Sequence, residues 1–433
     1  MPLNCGRSAR QSTIRASRRS EFSPYYHATV IGRESLSLGG YLLKGTSIWL
    51  VKLIRLLSFV VVLFPAFLVF GWYYFTCNRT VFRYIEDDAK STSRHYLDVY
   101  GATVDDYFEQ NSSQHADGYV EISRSASPMS YSGSNEFVQQ QMHSGKPVVV
   151  FLTGGAWIIG YKMWGALLAR ALVPHNIIVV IPDYRNFPQT RVDGMVDDID
   201  ASIQWVFDNC REFGGDPNRV VLVGQSAGAH LGSCILINKA IASCESKSVS
   251  SHARLSTTTW KGTDLKGFVA TSGPYDLLKM QDIFHQHGLD RNITQKLFRK
   301  NLVEFSPMHM LQHLRSIGKK CIPSLIPPVL VLHGTDDKTV PCVGAVEFGD
   351  ALKQIGVNAS VKLYDGWSHT DPILEAPMDG NHKFHMDVYN AVKIWTFDDQ
   401  LTTQLKDFDE RHPLCKRICP SFLIPFGRWF NPF

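Results

Sequence analysis

From residue 147 onward the chain repeats one pattern: a short run of Val, Ile and Leu without polar alternation, then a stretch of helical period. The runs are PVVVFL (147–152), IIVVIP (177–182), VVLVG (220–224), GFVATSG (267–273), PVLVLHG (328–334) and VKLYDG (361–366). A strand wetted on one side alternates apolar and polar residues, whereas one covered on both sides reads as a continuous apolar run. Between the runs, Trp164 to Leu172, Met195 to Phe207 and Ala227 to Ile241 carry helical period. Strands alternating with helices predict an α/β domain over 144–400, with a mostly parallel sheet and helices on both faces. Two insertions interrupt the rhythm: a Ser/Thr-rich stretch at 243–260, and 277–322, a candidate lid.

Charge is distributed unevenly along the 433 residues, which hold 44 Lys+Arg against 40 Asp+Glu. Residues 1–55 contain nine basic and two acidic side chains, a balance of +7, so the remainder stands at −3. A near-neutral body has no basic face for nucleic acid. A basic front end followed by Leu56 to Phe75, twenty residues without a charge, fits a membrane anchor instead. At 1.5 Å per residue the run reaches roughly 30 Å, the depth of a hydrocarbon core. Trp49, Trp72, Tyr73 and Tyr74 flank it as an interfacial belt would, and Pro65 is tolerated in membranes. The sequence thus divides into a basic tail (1–47), a transmembrane helix (48–76), a polar linker (77–143), the α/β domain (144–400) and a C-terminal tail (401–433). The charge rule places the N-terminus in the cytosol and the rest in the lumen, where sequons at Asn78, Asn111, Asn292 and Asn358 are usable, while Pro65 also allows a re-entrant hairpin that returns the chain to the cytosol. Nine scattered cysteines form no zinc-like pairing, since Cys415 and Cys419 lack a partner pair, so no metal site is expected.

The sharpest motif is Gly224-Gln225-Ser226-Ala227-Gly228, directly after the strand VVLV and directly before a helix. A strand-to-helix turn this tight holds its serine in a strained conformation with the hydroxyl exposed, and small flanking residues make room for it. Serine needs a base, usually histidine, oriented by a carboxylate, in the chain order Ser, acid, His. Asp336 and Asp337 both stand on the loop after PVLVL, and His369 on the loop after VKLY. His333 precedes the acid and reads as a structural loop residue; His230, one turn beyond Ser226, reads as packing or capping. His285 and His287, in the candidate lid, read as surface residues. The third requirement is a set of backbone donors for an oxyanion. Gly154, Gly155 and Ala156 follow PVVVFL where such a loop belongs, and the Ala227 N–H adds one donor.

The segments GGAWIIGYKMWG (154–165), DYRNFPQ (183–189), FGGDPNRVVLVGQSAGAHL (213–231) and HGTDDKTVP (333–341) resemble plant isoprenylcysteine α-carbonyl methylesterases over roughly residues 90–400. The resemblance implies an α/β-hydrolase fold with Ser226 as nucleophile, His369 as base and Asp337 as acid. Asp337 is chosen over Asp336 because family members place the acid three residues before the Val-Pro, here Val340-Pro341. Gly154, Gly155 and Ala156, with Gln225, Ser226 and Ala227, would surround the substrate carbonyl. Thr153 stands where the wider lipase branch opens its glycine loop with His. The resemblance also implies hydrolysis of a prenylated cysteine methyl ester without a cofactor, membrane lipids as partners, and residence in endoplasmic reticulum and Golgi membranes.

Two other readings fit parts of the same pattern. Kynurenine-formamidase-like enzymes and general carboxylesterases share GxSAGAH but are soluble, which the apolar run argues against. A hormone receptor on the lipase fold would lack the catalytic histidine, whereas His369 is present.

Overall fold

The computed structural model describes residues 48–85, 87, 90–102, 145–244, 258–318, 322–397 and 414–432, together with residue 32. The rest of the basic tail, the Ser-rich stretch of the expected linker, Asn111 and residues 245–257 lie outside the described residues.

Six apolar runs become six strands: β3 (Lys146–Leu152), β4 (Ile178–Pro182), β5 (Gly215–Gln225), β6 (Gly267–Thr271), β7 (Val329–Gly334) and β8 (Ala359–Tyr364). They pair in parallel, in the order β4-β3-β5-β6-β7-β8, with Val150 beside Val180 on one side and Leu222 on the other. Because successive side chains leave a strand on opposite faces, β3 serves two cores. Val148, Val150 and Leu152 enter one, Val149 and Phe151 the other. That double burial is why the runs lack polar alternation.

Two further strands come from the segment expected to be a linker. β1 (Arg79–Arg83) pairs antiparallel with β2 (Tyr96–Tyr100), which pairs antiparallel with β4, completing an eight-stranded sheet. Their charges made them read as polar, yet those charges are paired inside the protein. The buried Asp98 carboxylate accepts from Lys162 Nζ at 2.6 Å, Arg79 Nη1 at 3.0 Å and the Tyr74 hydroxyl at 3.0 Å. Burial pushes the Asp98 carboxyl up, but Lys162 and Arg79 outweigh it and hold it below the ordinary value.

The expected single transmembrane helix is replaced by two. α1 (Ile48–Val62) ends at Leu63, and α2 (Phe64–Thr76) leaves at an angle of 80°. Pro65 sits in the first turn of α2, where its missing N–H has no helical partner to lose. No single described helix is long and apolar enough to cross a membrane, although the bent pair together has the length and composition. Phe59, Leu63, Ala66, Phe70 and Tyr74 are buried in the same core as Val149 and Phe151.

The remaining α-helices among the described residues are α3 (Ala166–Leu172), α4 (Val192–Asn209) and α5 (Ala227–Cys244), then α6 (Leu277–Gln286), α7 (Arg291–Leu297) and α8 (Pro307–Ile317). They are followed by α9 (Val343–Gln354), α10 (Glu375–Asp379), α11 (Lys383–Thr396) and α12 (Leu423–Phe430). The candidate lid is therefore three helices, α6 to α8. The C-terminal segment folds back, and α12 packs on α1 with the Leu63 side chain against Gly427.

Candidate active site

β5 delivers Gln225 to the carboxyl edge of the sheet, α5 begins at Ala227, and Ser226 alone makes the turn with φ +53°. A non-glycine residue in that region is strained, and such strain persists only where neighbours enforce it. Here the Ser226 N–H donates to the Thr271 carbonyl at 2.8 Å and the Ser226 carbonyl accepts from the His230 N–H at 3.0 Å. The turn also needs glycine at 228, because a Cβ there would lie 2.1 Å from the Leu152 carbonyl oxygen.

The loops after β7 and β8 bring the acid and the base to this hydroxyl. His369 Nε2 lies 2.9 Å from Ser226 Oγ, and His369 Nδ1 lies 2.7 Å from Asp337 Oδ2. Asp336 is exposed, and its N–H is spent on the Trp367 carbonyl. Asp337 is buried and accepts four hydrogen bonds: from His369, from His333 Nε2 at 3.0 Å, and from the N–H groups of Thr339 and Val340. Burial pushes its carboxyl up, but the His369 charge and the hydrogen bonds from His333 and His369 hold it well below the usual carboxylate range. It is a fixed anion.

His333 is not the loop residue expected from sequence. It lies within β7, fully buried, and its Nε2 is also 2.7 Å from the Val340 carbonyl. A carbonyl accepts only, so Nε2 carries the hydrogen and donates to both oxygens. The signal was available: a histidine ending a buried strand, four residues before the acid, needs a buried partner.

The glycine loop sits directly over the turn. A Cβ on Gly154 would lie 2.9 Å from the Ser226 Cβ and 2.2 Å from Gln225 Oε1, so only glycine lets the two segments meet. Ala156 and Trp157 both have positive φ, at +51° and +62°. The Gln225 side chain is buried, wedged against Gly154, with its Nε2 3.5 Å from the His369 carbonyl. It braces two loops rather than lining an open surface.

His230 packs, as expected, and also ties elements together. Trp157 Nε1 donates to its Nδ1 at 3.2 Å, and its Nε2 donates to the Phe305 carbonyl at 2.7 Å. Burial lowers its pKa to about 4, so it stays neutral and keeps this tautomer. The Trp157 ring in turn packs edge-on against Phe284 of α6 and against Phe298, so the inserted helices clamp the glycine loop. His285 is exposed, but His287 is not a bystander. Burial, then the Lys52 charge, lower its pKa, while the Lys338 backbone and Asp337 oppose and His369 adds to the lowering.

A serine hydroxyl with a histidine at hydrogen-bond distance, that histidine held by a buried carboxylate, and small residues packed on the serine form an arrangement capable of acyl transfer. The fold has relatives of known structure. Two structures of esterase B from Lactobacillus rhamnosis, one with a C4-C4 SN3 tributyrin phosphonate inhibitor and one with a C6-C4 SN3 inhibitor, superpose with TM-scores of 0.52 at 15% and 14% identity. They cover 77% and 79% of this chain and 89% and 94% of theirs, a likeness of fold alone. A family profile described as BD-FAE matches residues 137–352. The isoprenylcysteine alpha-carbonyl methylesterase of Arabidopsis thaliana is 40% identical over 66% of this chain, which spans 64% of that relative's length. Two relatives bearing the same name with the qualifier "probable" match more completely. One from Arabidopsis thaliana is 33% identical over 93% of this chain and 82% of its own length, and one from Oryza sativa is 32% identical over 89% and 80%. With likeness extending over four fifths of those two relatives, the chain belongs to the isoprenylcysteine alpha-carbonyl methylesterase family, on an α/β-hydrolase fold.

Proposed function

We propose that the protein is a membrane-associated serine esterase that hydrolyses the methyl ester of a prenylated cysteine. The observation that carries the chemistry is His369 bridging Ser226 Oγ and Asp337 Oδ2 at 2.9 and 2.7 Å. Ser226 Oγ attacks the ester carbonyl while His369 Nε2 takes its proton, and the Nδ1–H donates to Asp337, which stabilises the imidazolium. The oxyanion accepts from the backbone N–H groups of the Gly154-Gly155-Ala156 loop and of Ala227. His369 returns the proton to the departing methoxide, methanol leaves, and water attacks the acyl-serine by the reverse proton path. The net change is ester and water to acid and methanol, carried by side chains and water without a cofactor.

The substrate class rests on the family, whose relatives carry the methylesterase name, and on the exposed apolar side chains of α1, α2 and α12. A prenyl chain resides in lipid, so an enzyme at the bilayer meets it at high local concentration. The membranes proposed are those of the endoplasmic reticulum and Golgi. The test is hydrolysis of farnesylcysteine methyl ester beside a short aryl ester and N-formylkynurenine. The expected order places the farnesylated ester first in kcat/KM. Preference for N-formylkynurenine, or no hydrolysis of any of the three, would overturn the proposal.

A further inference from the structure

Eleven exposed large hydrophobic side chains lie on α1 and α2 and three more on and beside α12, out of twenty-one among the described residues. Leu57, Val61, Leu68 and Trp72 are 57%, 73%, 56% and 73% exposed, and Phe426 and Trp429 reach 58% and 74%. Soluble monomers scatter such residues singly, and a concentration of this size marks an interaction surface. The opposite faces of the same helices are committed. Phe59, Leu63, Ala66, Phe70 and Tyr74 sit in the core, and α12 is tied to α1 through Lys52 to the Pro432 carbonyl and Arg55 to the carbonyls of Trp429 and Asn431.

We infer that α1, α2 and α12 lie together in the plane of one leaflet of an anionic phospholipid bilayer, without crossing it, and that this face delivers lipid to the mouth of the site. The inference rests on the esterase reading for what is delivered, but not for the docking. Packing argues against a span. Neither helix alone reaches the ~30 Å of a hydrocarbon core, and crossing as a pair would pull Phe59, Leu63, Phe70 and Tyr74 out of the core they share with Val149 and Phe151. A helix seated on its own domain by one side and apolar on the other is the geometry of an interfacial element. Tryptophans towards the C-terminal ends of α2 and α12, Trp72 and Trp429, suit the headgroup region. Charge selects the occupant, because the +7 balance of residues 1–55 complements anionic headgroups rather than a second copy of the same basic segment.

The face also adjoins the chemistry. Arg428 of α12 donates to Asp371 from Nε at 3.0 Å, and Asn431 donates to Thr370, the residue after His369. Embedding these helices to the depth of their apolar side therefore brings the Ser226 mouth to the lipid surface. It also leaves the N-terminal segment and the α/β domain on the same side of the membrane.

The test uses the full chain and vesicles of phosphatidylcholine with or without phosphatidylserine. Flotation with the anionic vesicles is expected for the parent, and Leu57→Glu/Leu68→Glu/Trp429→Glu should weaken it by at least about ten-fold. Hydrolysis of 4-nitrophenyl acetate by the variant should stay within about two-fold of the parent, because none of the three residues touches the site. A variant that floats like the parent overturns the docking face, as does a stable dimer in buffer that does not float. In sealed microsomes, protease should reach an N-terminal tag and the α/β domain together or spare both. Cleavage of one with protection of the other establishes a span and overturns the in-plane arrangement. Flotation by a parent that hydrolyses no ester would sink the esterase reading and leave the docking intact.

Discussion

Two stretches of this chain are apolar around most of their circumference, and the protein uses them in opposite ways. Helix α5, behind Ser226, has fourteen of its eighteen residues buried between the sheet and the inserted helices. The pair α1–α2 buries one stripe and leaves the other bare. Hydrophobicity along the sequence does not predict this, since α5, the less apolar of the two, is the one enclosed. What separates them is how many neighbours the fold supplies: α5 is enclosed between layers, whereas the pair lies on the outside of one. An apolar helix is therefore a statement about its surroundings only after the number of covered faces is known.

The sharpest way to break this contrast starts at the N-terminus of α5, where burial serves chemistry. Ser226→Ala should lower ester turnover by roughly 10⁴- to 10⁶-fold with an unchanged melting temperature, measured with a short aryl ester. Residual turnover above about a hundredth of the parent would remove Ser226 as nucleophile. Next in size, Asp337→Asn should cost about 10⁴-fold by favouring the wrong His369 tautomer, while exposed Asp336→Asn costs little. A reversal of these two effects would sink the assignment of the acid.

Within the helix itself, Leu231 is fully buried, and Leu231→Ala should destabilise by about 2–5 kcal/mol through transfer loss and the cavity left behind. Thermal or urea melts measure it, and a neutral result would mean α5 is not enclosed. A smaller, pH-dependent effect tests the seat of α12. Burial, and then the Asp371 charge, push the Glu375 carboxyl up to about 7. A raised carboxyl contributes fully below its unfolded value, ~4.3, and that contribution is lost as pH rises through about 7. Glu375→Gln should therefore match the parent's melting temperature near pH 4 and exceed it near pH 8. Equal differences at both pH values would show that the carboxyl is not neutral in the fold. Smallest of all, Leu57→Ala on the bare stripe should change stability in lipid-free solution by less than about 0.5 kcal/mol. A loss as large as that at Leu231 would erase the distinction between the two regions.

Much of this was legible in the residues. All six apolar runs became β3 to β8 because strands covered on both faces leave an unambiguous print. Ser226 and His369 follow from loop positions and chain order, which left Asp336 and Asp337 both open until the family resemblance pointed to Asp337, and the structure brings Ser226, His369 and Asp337 within hydrogen-bond distance. Strands β1 and β2 were not legible, because Arg79 and Asp98 look like surface charges until Lys162, sixty-four residues beyond Asp98, supplies the partner. The bend at Leu63 was hidden for a different reason. The buried stripe 59, 63, 66, 70 and 74 has helical spacing, but the outward stripe is equally apolar, so the periodicity carried no contrast. His287 was missed because the Lys338 backbone it bonds comes from a distant part of the chain.

The Asp98 carboxylate takes the Tyr74 hydroxyl and Arg79 on one oxygen and Lys162 on the other. Tyr74 belongs to the last turn of α2, and Lys162 stands just past the glycine loop over Ser226. The helix pair is consequently keystone rather than appendage. Trimming the chain at residue 77 to obtain a more tractable protein would strip the buried anion of one partner and uncover Phe59, Leu63, Ala66 and Phe70's seats in the core. For this protein, solubility has to be sought by repainting the outward stripe, not by pruning it.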